Sequence, residues 1–244
     1  GYAGIVIPDE YGGMAGDFLE LVILMEEIGR GIVPSPFFAT VCACGPAISA
    51  FGTEEQKQEA LPEIAEKGQI WALALTEDSA SYDAEDVAMR AVADGNSYIL
   101  DGTKLFISYA NVADRLLVIA RTDDGATGEA GITAFLVDAK DPGIHMTVMP
   151  TAARDMRCEV VLENVRVSQE SILGGTDRGW DVVEYILQHA TVLKCAEISG
   201  SAQAVLELAT DYARERHQFD KPIGSFQAVQ HKLVDVLTEV EGLK

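Results

Sequence analysis

Four cysteines and four histidines are the side chains that first raise metal or nucleophilic chemistry, and neither set has the spacing for it. Cys42 and Cys44 form a C-x-C pair too close for an ordinary disulfide, while Cys158 and Cys195 stand alone. Each sits among apolar neighbours and reads as a small core residue in a reducing compartment. His145, His189, His217 and His231 show no metal-ligand spacing with them. The phosphate-cradling G-x-G-x-x-G and P-loop patterns are absent, and so is the G-x-S-x-G of serine hydrolases. Chemistry in this chain must come from longer and less generic strings.

Charge narrows the partners. The 244 residues carry 18 Lys and Arg against 39 Asp and Glu, a net charge of −21. So acidic a surface repels phosphate backbones and anionic membranes, which excludes nucleic acid as the natural partner. A local arginine or a helix N-terminus can still hold an anionic small ligand. With 48% hydrophobic and 23% charged residues the composition is that of a globular protein, not of a disordered, collagenous or disulfide-rich chain. No apolar run reaches the ~20 residues of a membrane span. The chain shows no signal-peptide pattern, and Gly1-Tyr2 in place of Met leads us to expect sequence upstream.

Three regions differ in hydrophobic period. From Gly16 to about Ile70, Phe18, Leu21, Val22, Met25 and Ile28 recur at helical steps, and Gly29 is expected to stop that helix. Pro34 and Pro36 precede a second apolar helix through Ala47 and Phe51, and Thr53 is expected to cap a third. From Trp71 to about Val167 the pattern is of short strands. Tyr98-Ile99-Leu100 and Leu105-Phe106-Ile107 flank Asp101-Gly102, a hairpin signal. Leu116 to Ala120, Ile132 to Val137 and Val160 to Val167 are further β-rich runs. After Gly174-Gly175 the helical period returns. Trp180, Val183, Leu187 and Ala190 begin one long apolar face that Ala202, Val205, Leu206, Ala209, Tyr212 and Ala213 continue, and Val229, Leu233, Val236, Val240 and Leu243 form another. The order predicts an α+β chain: a helical N-terminal domain over 1–70, a barrel- or sandwich-like β-domain over 71–170, and a helical bundle begun over 171–244.

Five strings carry a specific resemblance. They are Ile7-Pro8-Asp9-Glu10-Tyr11-Gly12-Gly13, Ala74-Leu75-Thr76-Glu77, Asp101 to Ser108 (DGTKLFIS), Tyr212 to Phe219 (YARERHQF) and Pro222 to Gln230 (PIGSFQAVQ). In this order and at these distances they resemble the motifs of the acyl-CoA dehydrogenase family, across essentially the whole chain. The resemblance implies a helical first domain lacking its opening helices, a β-domain of two sheets and an incomplete C-terminal helical bundle. FAD would sit between the β-domain and the last domain. Leu75 and Thr76 match the loop that touches the flavin ring, where a hydroxyl and a backbone N–H tune hydride acceptance; taken alone, Thr76 could as well close a loop. Phe106 matches an aromatic that covers one flavin face, and Ser108 a hydroxyl near the ring nitrogen that receives hydride. Without the resemblance Phe106 reads as core. Arg216 and Gln218 match the pair that reaches the FAD pyrophosphate from a neighbouring subunit, a task suited to the fork of guanidinium donors, although a lone Arg at a helix end is as readily a solvated charge. Phe226 and Gln227 match adenine-side contacts.

The family reaction removes a proton from the α-carbon of an acyl-CoA while the β-carbon passes hydride to flavin, so a carboxylate base is required. The resemblance places that Glu beyond Lys244 or, in some members, where this chain has Ala190. The catalytic residue is therefore unassigned, and no metal is expected. Departures concern the substrate. Asp78-Ser79-Ala80-Ser81-Tyr82-Asp83 stands where Pro-x-Ala-Gly-Ser-Asp is usual, putting Tyr82 in place of a small serine near the thioester. Gln188 and Thr191 fall where an acid and an arginine near the CoA are common, and Asp220 replaces a glycine. The resemblance implies an oxidoreductase acting on the CH–CH group of an acyl-CoA. It would pass electrons to an electron-transfer flavoprotein, as a homodimer or homotetramer in a bacterial cytoplasm or a mitochondrial matrix. A catalytically weak subunit of a heteromer, or an oxidase on the same fold, are the alternatives these departures leave open.

Overall fold

Two helices begin with the same device. The Asp17 side chain accepts from the Glu20 N–H while Glu20 reaches back to the Asp17 N–H, and Thr53 and Gln56 repeat the exchange. Each box satisfies two donors that a helix N-terminus leaves open. They start α1 (Phe18–Gly31) and α3 (Glu54–Lys67); wide π-type turns over Phe38–Cys44 and then α2 (Gly45–Phe51) lie between them in sequence. The computed structural model describes residues 1–153 and 155–243; Arg154 and Lys244 lie outside the described residues. By internal packing the chain forms two units, Gly1–Gly16 with Pro34–Ala190, and Asp17–Val33 with Thr191–Lys244.

The first unit contains the sheet. Its strands are β1 (Trp71–Ala74), β2 (Arg90–Asp94), β3 (Ser97–Ser108), β4 (Arg115–Arg121), β5 (Ile132–Asp138), β6 (Ile144–Met149), β7 (Arg157–Ser168) and β8 (Ile172–Leu173). They follow the order β6-β7-β3-β2-β4-β5-β8, with β1 paired to β4. Among the described residues, the one strand pairing that joins β6-β7-β3-β2 to the rest is the register pair Arg90↔Arg121. Inward residues of both groups share one core, Leu100, Val160 and Leu162 on one side with Leu116, Val118 and Phe135 on the other. This is the sandwich-like β-domain expected. A second core joins Leu61 and Ile64 of α3, Leu117 and Ile119 of β4, and Val182, Val183 and Ile186 at the start of α4 (Gly179–Glu215).

The Asp101-Gly102 hairpin does not form. β3 pairs with β7 on both sides of it, Leu100↔Val165 and Gly102↔Leu162, so the strand continues. A register shift falls between those two pairs, with the extra residue on β7, where Asn164 is left-handed at φ +52; on β3 Gly102 lies at φ +147, where a Cβ would meet Met89. The reversal lies earlier, where Asp94↔Ser97 closes β2 onto β3.

In the second unit Gly29 does not end α1, which runs to Gly31. Its missing side chain serves a close approach instead: a Cβ on Gly29 would sit 1.9 Å from the Glu197 carbonyl oxygen, and one on Gly200 would sit 1.9 Å from that of Glu26. Ser201 Oγ donates to the Gly29 carbonyl at 2.8 Å across the same crossing. Cys42, Cys44 and Cys158 are buried as expected, and burial pushes the Cys44 thiol far above the ordinary range. Cys195 is exposed, because it lies two residues beyond the buried Leu193, about 200° round the helix. The long apolar faces are only partly covered. Leu206, Ala213 and Val240 are buried, whereas Val205, Tyr212, Val236 and Leu243 are exposed; Val236 and Leu243 belong to α5 (Gln227–Gly242).

The crossing yields a direct test by thermal unfolding. Gly200→Ala must drive α1 and α4 apart and should destabilise by about 1–3 kcal/mol. Gly242→Ala meets nothing within 4 Å and should be neutral or mildly stabilising, since alanine is the better helix former.

Candidate functional site

β1 ends in the loop Leu75-Thr76-Glu77, which is tied to β3 by four hydrogen bonds. Thr76 Oγ1 donates to the Leu105 carbonyl at 2.5 Å, and the Leu105 N–H donates to the Thr76 carbonyl at 2.9 Å. Lys104 Nζ donates to the Leu75 carbonyl at 3.1 Å and to Glu77 Oε1 at 2.7 Å. Lys104 is 0% exposed and Glu77 7%. The Glu77 carboxylate also accepts from the backbone N–H groups of Ala88 and Met89, so one buried ion pair holds the loop, β3 and the approach to β2. Burial lowers the Lys104 ammonium to about 8, with the attraction of Glu77 opposing it.

Strand parity changes inside this cluster. Leu100 and Lys104 share the inward face, and simple alternation would bury Phe106 as well. A second register shift, between Lys104 and Ile107, turns Ile107 inward instead. Phe106 sits at the shift with φ +60 and its side chain is 41% exposed. A left-handed, non-glycine residue inside a strand is strained, and such strain concentrates at working sites. Ser108, the next residue on that outward parity, accepts from Arg157 Nη1 at 2.7 Å. Leu75, Thr76, Phe106 and Ser108 are thus brought together on one end of the sheet. They offer an exposed ring face, a hydroxyl whose hydrogen no described residue accepts, and an acceptor oxygen on Thr76. That donor set fits the edge and face of a flat heteroaromatic such as flavin.

In the second unit α4 ends at Glu215 and the chain turns back through β9 (His217–Gln218) and β10 (Lys221–Pro222). Phe219 and Asp220 between them both have left-handed backbone, φ +53 and +63, the two-residue turn in which glycine is the usual second residue. The Ile223 N–H donates to the Arg216 carbonyl at 2.8 Å. The Phe226 ring, at the start of α5, lies edge-on to Phe219 and under the Lys221 ammonium at 4.3 Å. Arg216, Gln218 and Gln227 are exposed beside this hairpin, and Phe226 is half-buried. Arg214 pairs with Asp211 at 3.2 Å, whereas among the described residues Arg216 makes no ion pair.

Tyr82 is 59% exposed on the Asp78–Asp83 loop. Gln188 is exposed on α4 and donates to Glu184 at 3.4 Å; Thr191 is exposed one turn on. Sequence reasoning missed Lys104, Glu77 and Arg157. For Lys104 a signal existed: a lysine on the inward parity of a strand needs a buried anion. Among the described residues no group of three or more His, Cys, Asp and Glu is placed to hold a metal, and no helix is long and apolar enough to cross a membrane.

Comparison with known proteins agrees along the chain. The signatures described as acyl-CoA dehydrogenase N-terminal, middle and C-terminal domains match residues 1–68, 72–165 and 177–244. The 3-(aryl)acrylate reductase of Clostridium sporogenes is 36% identical over 100% of this chain and 66% of its own length. The butyryl-CoA dehydrogenase structure from Megasphaera elsdenii superposes with a TM-score of 0.92 at 31% identity, covering 99% of this chain and 65% of that one. A chain in the structure of the electron-transferring flavoprotein of Acidaminococcus fermentans gives 0.92 at 35% identity, with 99% and 65% covered. The chain thus spans just under two thirds of these relatives' lengths.

The buried pair makes two expectations for chemical denaturation. Lys104→Met leaves the Glu77 charge without its cation and should cost about 3–5 kcal/mol, most of it recovered in Lys104→Met/Glu77→Gln. Because the folded-state value of Lys104 lies near 8 and the unfolded one near 10.5, the unfolded chain binds more protons between them. This group's contribution to stability therefore rises with pH across that window, and the stability gap between the protein and Lys104→Met should widen there.

Proposed function

The chain belongs to the acyl-CoA dehydrogenase family, whose members are FAD-dependent flavoproteins, and on that premise we propose that its protein carries out α,β-dehydrogenation of an acyl-CoA thioester. Bound FAD supplies the acceptor for the hydride that leaves the β-carbon. The observation that carries this reading to a site is Phe106, turned out of the core by the bulge and flanked by Thr76 and Ser108. Phe106 covers one face of the ring, and Ser108 and the Leu75-Thr76 segment line its edge. The Thr76 hydroxyl commits its one hydrogen to Leu105, so its oxygen meets the cofactor as an acceptor. Lys104 and Glu77 hold that segment at a fixed distance from β3.

Arg216 and Gln218 grip the pyrophosphate of the FAD of a neighbouring subunit, with Phe226 and Gln227 toward its adenine. This requires a dimer or tetramer. Tyr82, Gln188 and Thr191 face the acyl-CoA, and the bulk of Tyr82 restricts the acyl group. The division into 1–70, 71–170 and 171–244 follows the same reading. Electrons pass to an electron-transfer flavoprotein, as the likeness to a chain in such a structure supports. The buried thiols suit a bacterial cytoplasm or a mitochondrial matrix. A second reading reverses the direction, toward reduction of an α,β-unsaturated acyl group, and the similarity to an arylacrylate reductase favours it.

Anaerobic mixing separates the two readings. Saturated acyl-CoA should bleach the yellow protein if it is a dehydrogenase. A reductase should instead be reoxidised by an enoyl-CoA after prior reduction. Extraction should recover FAD, and recovery of no flavin or of FMN alone overturns the assignment. Arg216→Ala should weaken FAD retention by about ten- to a hundredfold, the worth of a charge-assisted hydrogen bond. Arg214→Ala, already paired within its own helix, should leave retention near that of the parent.

A further inference from the structure

Arg157 opposes Ser108 directly across β3 and β7. Its Nη1 donates to Ser108 Oγ at 2.7 Å and to the Phe106 carbonyl at 3.2 Å, and its Nε donates to Asp155 Oδ2 at 2.5 Å. Asp155 is fixed in turn by the Thr151 hydroxyl at 2.6 Å, and that bond, with Arg157 second, holds its carboxyl below the usual range. The guanidinium is therefore braced from one side by an anion and applied on the other to the two residues read as the flavin platform.

A serine hydroxyl has one hydrogen to give, and a guanidinium can only donate. In contact with Arg157, Ser108 must accept, and no described residue takes its hydrogen. We propose that Arg157 is a positioning residue of the cofactor site: it fixes Ser108 as a donor toward the bound flavin and sets a positive charge behind that donor. A ring that takes up two electrons becomes richer in negative charge, so a donor and a cation placed there beforehand favour the reduced form. The same guanidinium holds the Phe106 carbonyl, and so helps keep the left-handed bulge that turns the ring outward. This inference rests on the reading of Ser108 as a flavin contact.

The test is the midpoint potential of FAD bound to the whole protein, with FAD added to saturation and occupancy checked by absorbance. Arg157→Met should shift the reduction equilibrium at least ~tenfold toward the oxidised form, about 30 mV for a two-electron couple. Arg157→Lys, which keeps a charged donor, should recover most of it. Ser108→Ala should shift the potential in the same direction. If Ser108→Ala shifts the potential and Arg157→Met does not, the inference is overturned while the flavin site stands. If neither does, the reading of Ser108 as a flavin contact fails, and the inference with it. Circular dichroism reports folding; should Arg157→Met not fold, Arg157→Gln, neutral but still a donor, carries the same measurement, and an unchanged potential there also overturns the inference.

Discussion

An ammonium taken wholly out of water needs compensation, and Lys104 finds it in Glu77 and the Leu75 carbonyl. Glu77 in turn draws on two backbone N–H groups ahead of β2. Neither partner is stable in the core without the other. At the sheet end this arrangement ties the Leu75-Thr76 loop down onto β3. The bulge comes two residues after the lysine. With Lys104 anchored inward, the shift that follows sends Phe106 outward and Ile107 back to the core.

Much of the scaffold was readable from local pattern, because local pattern is what forms it. Thr53 with Gln56 three residues on is a capping box in sequence and in space. The runs at Leu116, Ile132 and Val160 are strands because each must line a buried face. Misreadings fell where distant partners override local preference. Asp101-Gly102 has the chemistry of a turn, but pairing with β7 on both sides holds it straight. Gly29 has the chemistry of a helix stop, yet its use is set by a backbone oxygen 168 residues away in sequence, that of Glu197. Simple alternation puts Phe106 in the core, and only the bulge says otherwise. The site residues themselves came from matched strings rather than from periodicity. Ties such as Lys104 to Glu77 or Arg157 to Ser108 join positions too far apart in sequence for any periodic signal to register.

The candidate cofactor residues rest on two kinds of backbone strain. Phe106 is held left-handed by a bulge within a central strand, under the grip of Arg157 on its carbonyl. Phe219 and Asp220 are left-handed at an exposed hairpin tip, stiffened by the contacts among Phe219, Lys221 and Phe226. The first is over-determined by sheet pairing. The second depends on a few surface contacts and on aspartate, which tolerates this conformation less readily than glycine. The two stretches therefore have unequal rigidity, the bulge in the sheet being the firmer.

The crossing of α1 and α4 carries a consequence for how the sequence can drift. At Gly29 and Gly200 the helices meet backbone to backbone, each main-chain oxygen filling the space a Cβ would need. The angle and spacing of the pair are then fixed by main-chain atoms that every amino acid shares. Side chains such as Ser201 and the Arg30–Glu207 pair add to the crossing, but the closest approach is main chain on main chain. The two glycines act as a pin: a side chain at either one must push the helices apart before anything else in the crossing can adjust.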